Sequence, residues 1–139
     1  MSEIREPTGI VEPVLSPIRQ DAEADEQIFV SVRPAGAGKV IVEVGGEVDM
    51  LTSPQLRAVV LDQLTATGTD VVVLGLDKVT FLGTSGLAVL IELREATHAA
   101  GVELRIACTA RRVLRPLTIA GLIPLFDIHD TFEKALETT

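Results

Sequence analysis

The segment Val79-Thr80-Phe81-Leu82-Gly83-Thr84-Ser85-Gly86-Leu87 runs from an apolar strand through a small, polar turn into an apolar helix. Small residues let the backbone turn sharply there. Ser85 is thereby set at or beside a helix N-terminus, where unpaired N–H groups and the positive end of the helix dipole face its hydroxyl. Two uses of that hydroxyl follow. Thr84 or Ser85 can cap the helix, or Ser85 can carry a phosphate, which such a terminus tolerates well. The two uses are compatible.

Catalysis is less well supplied. A nucleophile elbow needs Gly-x-Ser-x-Gly, and Leu87 stands where the second glycine belongs. Ser85, Asp127 and His129 follow the chain order Ser, Asp, His, but Asp127 and His129 are two apart on a short strand, sharing a face without separate roles. His98, Cys108 and His129 lack metal-ligand spacing. No Gly-x-Gly-x-x-Gly or P-loop follows a strand. No metal and no cofactor is expected. Glu47 and Asp49 lie between a strand and a helix, where carboxylates are commonly solvated. Cys108 reads as a small buried hydrophobe.

Alternating elements must position these residues. Ile28 to Arg33 reads as a strand with Ile28, Val30 and Val32 on one face. A flexible Pro34–Gly38 turn leads to a second strand, Lys39 to Val44, which Gly45-Gly46 ends. Thr52 or Ser53 caps a helix with Pro54 in its first turn, and Leu56, Val59, Val60 and Leu64 recur at helical spacing. The apolar run Asp70 to Leu76 fits a central strand covered on both faces. A helix from about Gly86 to Ala100 stops at Gly101. Val102 to Cys108 is a strand, Ala110 to Ala120 a helix closed by Gly121, and Leu125 to Ile128 a short edge strand. Asp130 to Leu136 is a terminal helix capped by Asp130 or Thr131. The order β-β-α-β-α-β-α-β-α implies a single α/β domain, a mixed sheet of about five strands with about four helices.

Composition bounds the rest. The chain has 139 residues, 47% hydrophobic and 23% charged, with four Phe, no Trp and no Tyr, so the core is aliphatic. Residues 1–27 carry seven acids against Arg5 and Arg19, a net of −5, with three prolines and no periodic apolar pattern. They read as a disordered acidic N-terminal tail ahead of a domain spanning 28–139. The net charge of −8 disfavours nucleic acid and anionic membranes as partners. Arg111, Arg112 and Arg115 form the one basic cluster and read as a solvated helix face. No apolar run approaches the roughly 18 residues a membrane span needs. The N-terminus lacks an apolar signal core, and a single cysteine excludes an internal disulfide. A soluble cytoplasmic protein is expected.

Three blocks resemble the anti-sigma factor antagonists, single-domain bacterial proteins of the STAS fold. They are Gly46-Glu47-Val48-Asp49 with Leu51-Thr52-Ser53-Pro54-Gln55-Leu56; Val72-Val73-Leu74 through the Gly83-Thr84-Ser85-Gly86-Leu87 turn; and Val113-Leu114-Arg115-Pro116-Leu117 with Ala120-Gly121-Leu122. The middle block is similar to the family's phosphorylation motif, usually Asp-Ser-Ser-Gly-Leu. The resemblance implies a non-enzymatic antagonist that binds an anti-sigma factor with serine kinase activity and so releases a sigma factor. Phosphorylation of Ser85, with Thr84 a minor acceptor, would switch it off, and a protein phosphatase would reset it. Gly83 replaces the usual Asp of the motif, and Gly75 stands where the family often has an upstream acid.

In a sheet whose helices follow their strands, strand ends gather on one edge. The partner surface is therefore expected to join Gly46, Glu47, Asp49, Met50, Leu51 and Thr52 to Gly83, Thr84, Ser85, Gly86 and Leu87. Met50 and Leu51 suit either a protein contact or a hydrophobic staple onto the following helix. A monomer or weak dimer is expected. The alternative is a STAS module regulating another signalling or transport complex, a nucleotide-binding one included.

Overall fold

A computed structural model describes residues 28–137. The acidic segment 1–27, read as a disordered tail, lies outside the described residues. The elements are β1 Ile28–Pro34, β2 Lys39–Val48, α1 Ser53–Thr65, β3 Val71–Leu82, α2 Thr84–Ala99, β4 Glu103–Ala107, α3 Arg111–Ile119, a 3-10 turn Ile123–Leu125, β5 Asp127–His129 and α4 Phe132–Leu136. The five strands lie side by side in chain order. β1 pairs antiparallel with β2, and the other three pairings are parallel. The expected mixed sheet, helix count and element order are all present.

Alternation along the strands sorts side chains to two faces. Val42, Val44, Val72, Leu74 and Ile106 face the larger core with Leu56 and Val60 of α1, Leu90 and Leu93 of α2, and Val113 and Leu117 of α3. Ile41, Val71, Val73 and Ala107 face the other side, where Ala135 and Phe132 of α4 cover them. β3 is buried at every position from Val71 to Leu76, as its unbroken apolar run requires. β1 follows its expected face only in part, since Ile28 is buried but Val32 is exposed at the sheet edge. No described helix is long and apolar enough to cross a membrane.

Two strands run longer than their sequences suggest. Gly45-Gly46 does not end β2; the strand continues to Val48 beside β3, which continues to Leu82. The register shifts twice, between Glu43 and Gly45 and between Gly46 and Glu47, so the glycines form an irregularity rather than a stop. Gly46 takes a φ of 89°, open to glycine at little cost. Gly45 is needed for space: a Cβ there would lie 2.1 Å from the Phe29 ring. Gly75 answers to the same constraint, because a Cβ would lie 2.4 Å from the Phe132 ring. Gly75 is thus the seat of the last helix.

Other boundaries move by a few residues. The last strand is Asp127–His129 rather than Leu125–Ile128, since Pro124 sits in the 3-10 turn just before it. Thr131, not Asp130, caps α4, its hydroxyl accepting from Lys134 N at 3.0 Å. Gly101 and Gly121 each take φ 73° just past α2 and α3, as expected for helix stops.

Candidate functional site: a hydroxyl turn beside an apolar loop

The paired extensions of β2 and β3 carry the site. Val48 is opposite Leu82, and Gly83 N donates to Val48 O at 2.9 Å. This joins the turn that starts α2 to the loop that leaves β2, the neighbourhood expected for Gly46–Thr52 and Gly83–Leu87. α2 starts at Thr84, two residues earlier than its apolar pattern suggests, with Gly83 as N-cap. Gly83 has no side chain to cap with, and neither Thr84 nor Ser85 takes the role. The reading of either hydroxyl as the cap is corrected: both belong to the first turn, Thr84 exposed and Ser85 half-buried. The first-turn amides of α2 are left without a side-chain cap, an electropositive end suited to an anion.

Gly86 lies in the first turn of α2. It is buried, and a Cβ would lie 2.6 Å from Leu82 Cδ1 and 2.9 Å from Val48 Cγ1. Glycine lets the helix start rest directly on Val48, which sets the height of Ser85 above the sheet. Gly83 is looser. Its φ of −87° suits any residue, and a Cβ would meet the edge of the exposed Phe81 ring at 3.0 Å and Val48 O at an ordinary 3.6 Å.

The loop after β2 is locked by its own polar residues. Asp49 Oδ1 accepts from Leu51 N at 2.9 Å and Thr52 N at 3.1 Å. Thr52 Oγ1 accepts from Asp49 N at 2.9 Å and donates to Glu47 O at 2.7 Å. Thr52 is buried. These bonds leave Asp49 and Thr52 as positioning residues rather than free contacts. They turn Met50 and Leu51 outward, 75% and 68% exposed. A hydrophobic staple would bury one of them, so that reading is corrected: both side chains face outward. Phe81, 52% exposed and paired with Glu47, extends the apolar surface toward Gly83. Phe81 was absent from the expected site. Its signal was present all the same: one of four aromatics in the chain, two residues before the turn.

The hydrolase arrangement is not assembled. Asp127 Oδ1 lies 2.9 Å from His129 Nε2, but His129 is level with Ala107 on β4, and Ala107 with Gly75 on β3. Leu82 is seven residues further along β3, about 20 Å at the rise of a strand. Asp127 and His129 therefore stand far from Ser85. Among the described residues, no group of His, Cys, Asp or Glu could hold a metal ion. Cys108 is buried, and burial pushes its thiol up to about 11.

The basic cluster divides. Arg112 is not simply solvated; its Nε donates to Val79 O at 2.8 Å, tying α3 to the β3 extension. Asp77 Oδ1 accepts from Thr109 N at 2.7 Å and Ala110 N at 3.1 Å, closing the start of α3 from a neighbouring strand. Arg111 and Arg115 remain exposed.

The chain is similar to known proteins. The chain is 30% identical to the anti-sigma-B factor antagonist of Staphylococcus aureus over 92 residues, 66% of this chain and 84% of that one. It is 29% identical to the anti-sigma-F factor antagonist RsfB of Mycobacterium tuberculosis over 115 residues, 81% of this chain and 90% of that one. The crystal structure of an anti-sigma factor antagonist from Mycobacterium paratuberculosis superposes with a TM-score of 0.70 at 28% identity, covering 78% of this chain and 91% of the other. The family model of the STAS domain matches residues 30–135, nearly the whole described fold, and the chain belongs to the STAS domain family.

Proposed function

We propose that this protein is an anti-sigma factor antagonist: a binding module, not an enzyme, that engages an anti-sigma factor having serine kinase activity and thereby frees a sigma factor. One observation carries the reading. A serine in the first turn of an uncapped helix follows a strand pair, Val48 opposite Leu82, whose end and following loop carry three outward apolar side chains, Met50, Leu51 and Phe81. Exposed apolar side chains of this kind suit a protein contact. The names of the relatives point the same way.

Ser85 is the proposed phosphate acceptor, with Thr84 minor, and a protein phosphatase resets the switch. The phosphate adds about 1.5 to 2 negative charges. At the start of α2 those charges are favoured by about 0.3–1 kcal/mol, so the antagonist stays folded. In a packed interface around Met50 and Leu51 the same charges disrupt polar contacts, at a cost of about 2 kcal/mol or more. Gly83 brings no carboxylate to the acceptor, so the hydroxyl turn itself carries little opposing charge.

The test is reconstitution with an anti-sigma kinase from the same cells and ATP, read by mass spectrometry and binding. One phosphate on Ser85 and lost binding are expected. Ser85→Ala should bind without being modified, and Ser85→Asp should fold but bind poorly. Phosphate on another residue, or none with a kinase active on its own antagonist, would refute the assignment of Ser85. Capture of a transport or other signalling complex instead would favour a different STAS role.

A further inference from the structure

We infer that the outer face of α3 is a docking site for the acidic segment that precedes β1, the run Asp21 to Glu26 of this same chain. The described residues contain seven arginines, and five of them are engaged. Arg33 pairs with Glu43, Arg57 with Glu92, and Arg105 with Glu103. Arg94 donates to Leu125 O and Arg112 to Val79 O. Among the described residues, Arg111 and Arg115 make no such bond. They are one helical turn apart on α3, on the face that also carries Leu114, Thr118 and Ile119. Ile119 is 76% exposed. α3 therefore shows a stripe that is both basic and apolar, in a chain whose net charge is −8.

The occupant follows from charge and position. Asp21, Glu23, Asp25 and Glu26 place four carboxylates within six residues, directly before Ile28. Ile28 is opposite Gly46, Gly46 is opposite Val79, and Val79 O is held by Arg112 of α3. Two strand spacings, about 10 Å, thus separate the start of β1 from the strand to which α3 is tied. An extended chain covers about 3.3 Å per residue, so five or six residues suffice to carry carboxylates from Ile28 onto Arg111 and Arg115. The acids sit at that distance along the chain. Ile18, just before them, is available to the apolar part of the stripe at Leu114 and Ile119. A segment with no apolar periodicity can dock in this way through charge, without a core of its own.

The full chain tests this with a nitroxide on Ala22→Cys. Cys108 is 1% exposed and its thiol is pushed up to about 11, so the label goes to the new cysteine. Selective broadening of the amides of residues 111–119 is expected. It should be lost in 1 M salt, where the screening length falls to about 3 Å, and lost in full-length Arg111→Glu/Arg115→Glu. The remaining amide shifts of that variant report whether it is folded; should it not fold, Arg111→Gln/Arg115→Gln carries the same expectation. Broadening confined to residues next to Ile28, or unchanged by the substitutions, would overturn the proposal. So would broadening that appears only between a labelled chain and a separate isotope-labelled chain, which would make the occupant a second copy.

Discussion

Replacing Gly86 by alanine should destabilise the fold, although alanine is the better helix former. In an unstrained helical position Gly→Ala stabilises by about 0.4–1 kcal/mol. Here the added Cβ would lie 2.6 Å from Leu82 Cδ1, 2.9 Å from Val48 Cγ1 and 3.2 Å from Val48 O. Carbon pairs are most favourable at about 3.5–4.0 Å, so the helix start must lift or both side chains must rotate. Val48 is fully buried and Leu82 nearly so, which leaves little room for rotation. Overpacking of this kind costs about 1–3 kcal/mol. Set against the helix gain, a net loss of about 1–2 kcal/mol is expected, with Tm falling by about 4–8 °C per kcal/mol for a small domain. Chemical denaturation of Gly86→Ala, Val48→Ala and the double variant checks the cause, because a shared contact makes the two changes non-additive. Gly83→Ala is the control for coupling: it loses only the preference of an N-cap for glycine over alanine. Its Cβ meets the Phe81 ring edge at 3.0 Å and Val48 O at an ordinary 3.6 Å, and its effect should add to that of Val48→Ala. A Gly86→Ala protein more stable than the parent would refute the reasoning and remove the account of how Ser85 is placed.

Asp49→Ala removes the acceptor of two loop amides. It should cost about 1–3 kcal/mol and weaken anti-sigma binding by more than Met50→Ala alone; unchanged affinity would show that the loop needs no lock. Asp77→Ala unties the start of α3 and should cost about 0.5–2 kcal/mol in a thermal melt, as loss of a helix cap does. The Cys108 thiol is raised from 9.0 to about 11. Its contribution to stability should be complete below about pH 9 and fall away as pH rises from there toward 11, because the unfolded chain loses that proton first. Alkylation of the native protein at pH 8 should accordingly be far slower than in denaturant.

Where elements begin and end was legible when one local signal decided it. Gly101 and Gly121 stop helices because the chain turns left-handed there, and the run from Val71 to Leu76 is buried on both faces as its composition demands. The signals failed where a distant side chain decided. Gly45 reads as a strand breaker, yet it is a seat for Phe29, and nothing near it in the chain says so. Asp77-Lys78 interrupts the apolar run of β3, yet Asp77 is polar because α3 needs its carboxylate. At the site, the turn and its neighbouring loop were both readable, since strand ends gather on one edge. The roles within them were not. A hydroxyl at a helix start is usually a cap; here a glycine takes that position and the hydroxyls follow it. Asp49 and Thr52 read as contacts, and that they also fasten the loop is something only the hydrogen bonds show.

The side-by-side order of the strands bears on how this chain can be made. Among the described residues no strand is inserted between two others, so each joins the sheet at its growing edge as synthesis proceeds. The three parallel pairings bring together residues 32, 32 and 22 positions apart, as in Lys39 with Val71, Val71 with Glu103, and Arg105 with Asp127. Loop-closure entropy grows only with the logarithm of length, so these closures differ by about 0.3 kcal/mol. Each waits on a single helix and on nothing downstream. A chain emerging from the ribosome can therefore complete the hairpin, then β3, then β4, and the edges open at each stage are the outer side of β1 and the newest strand.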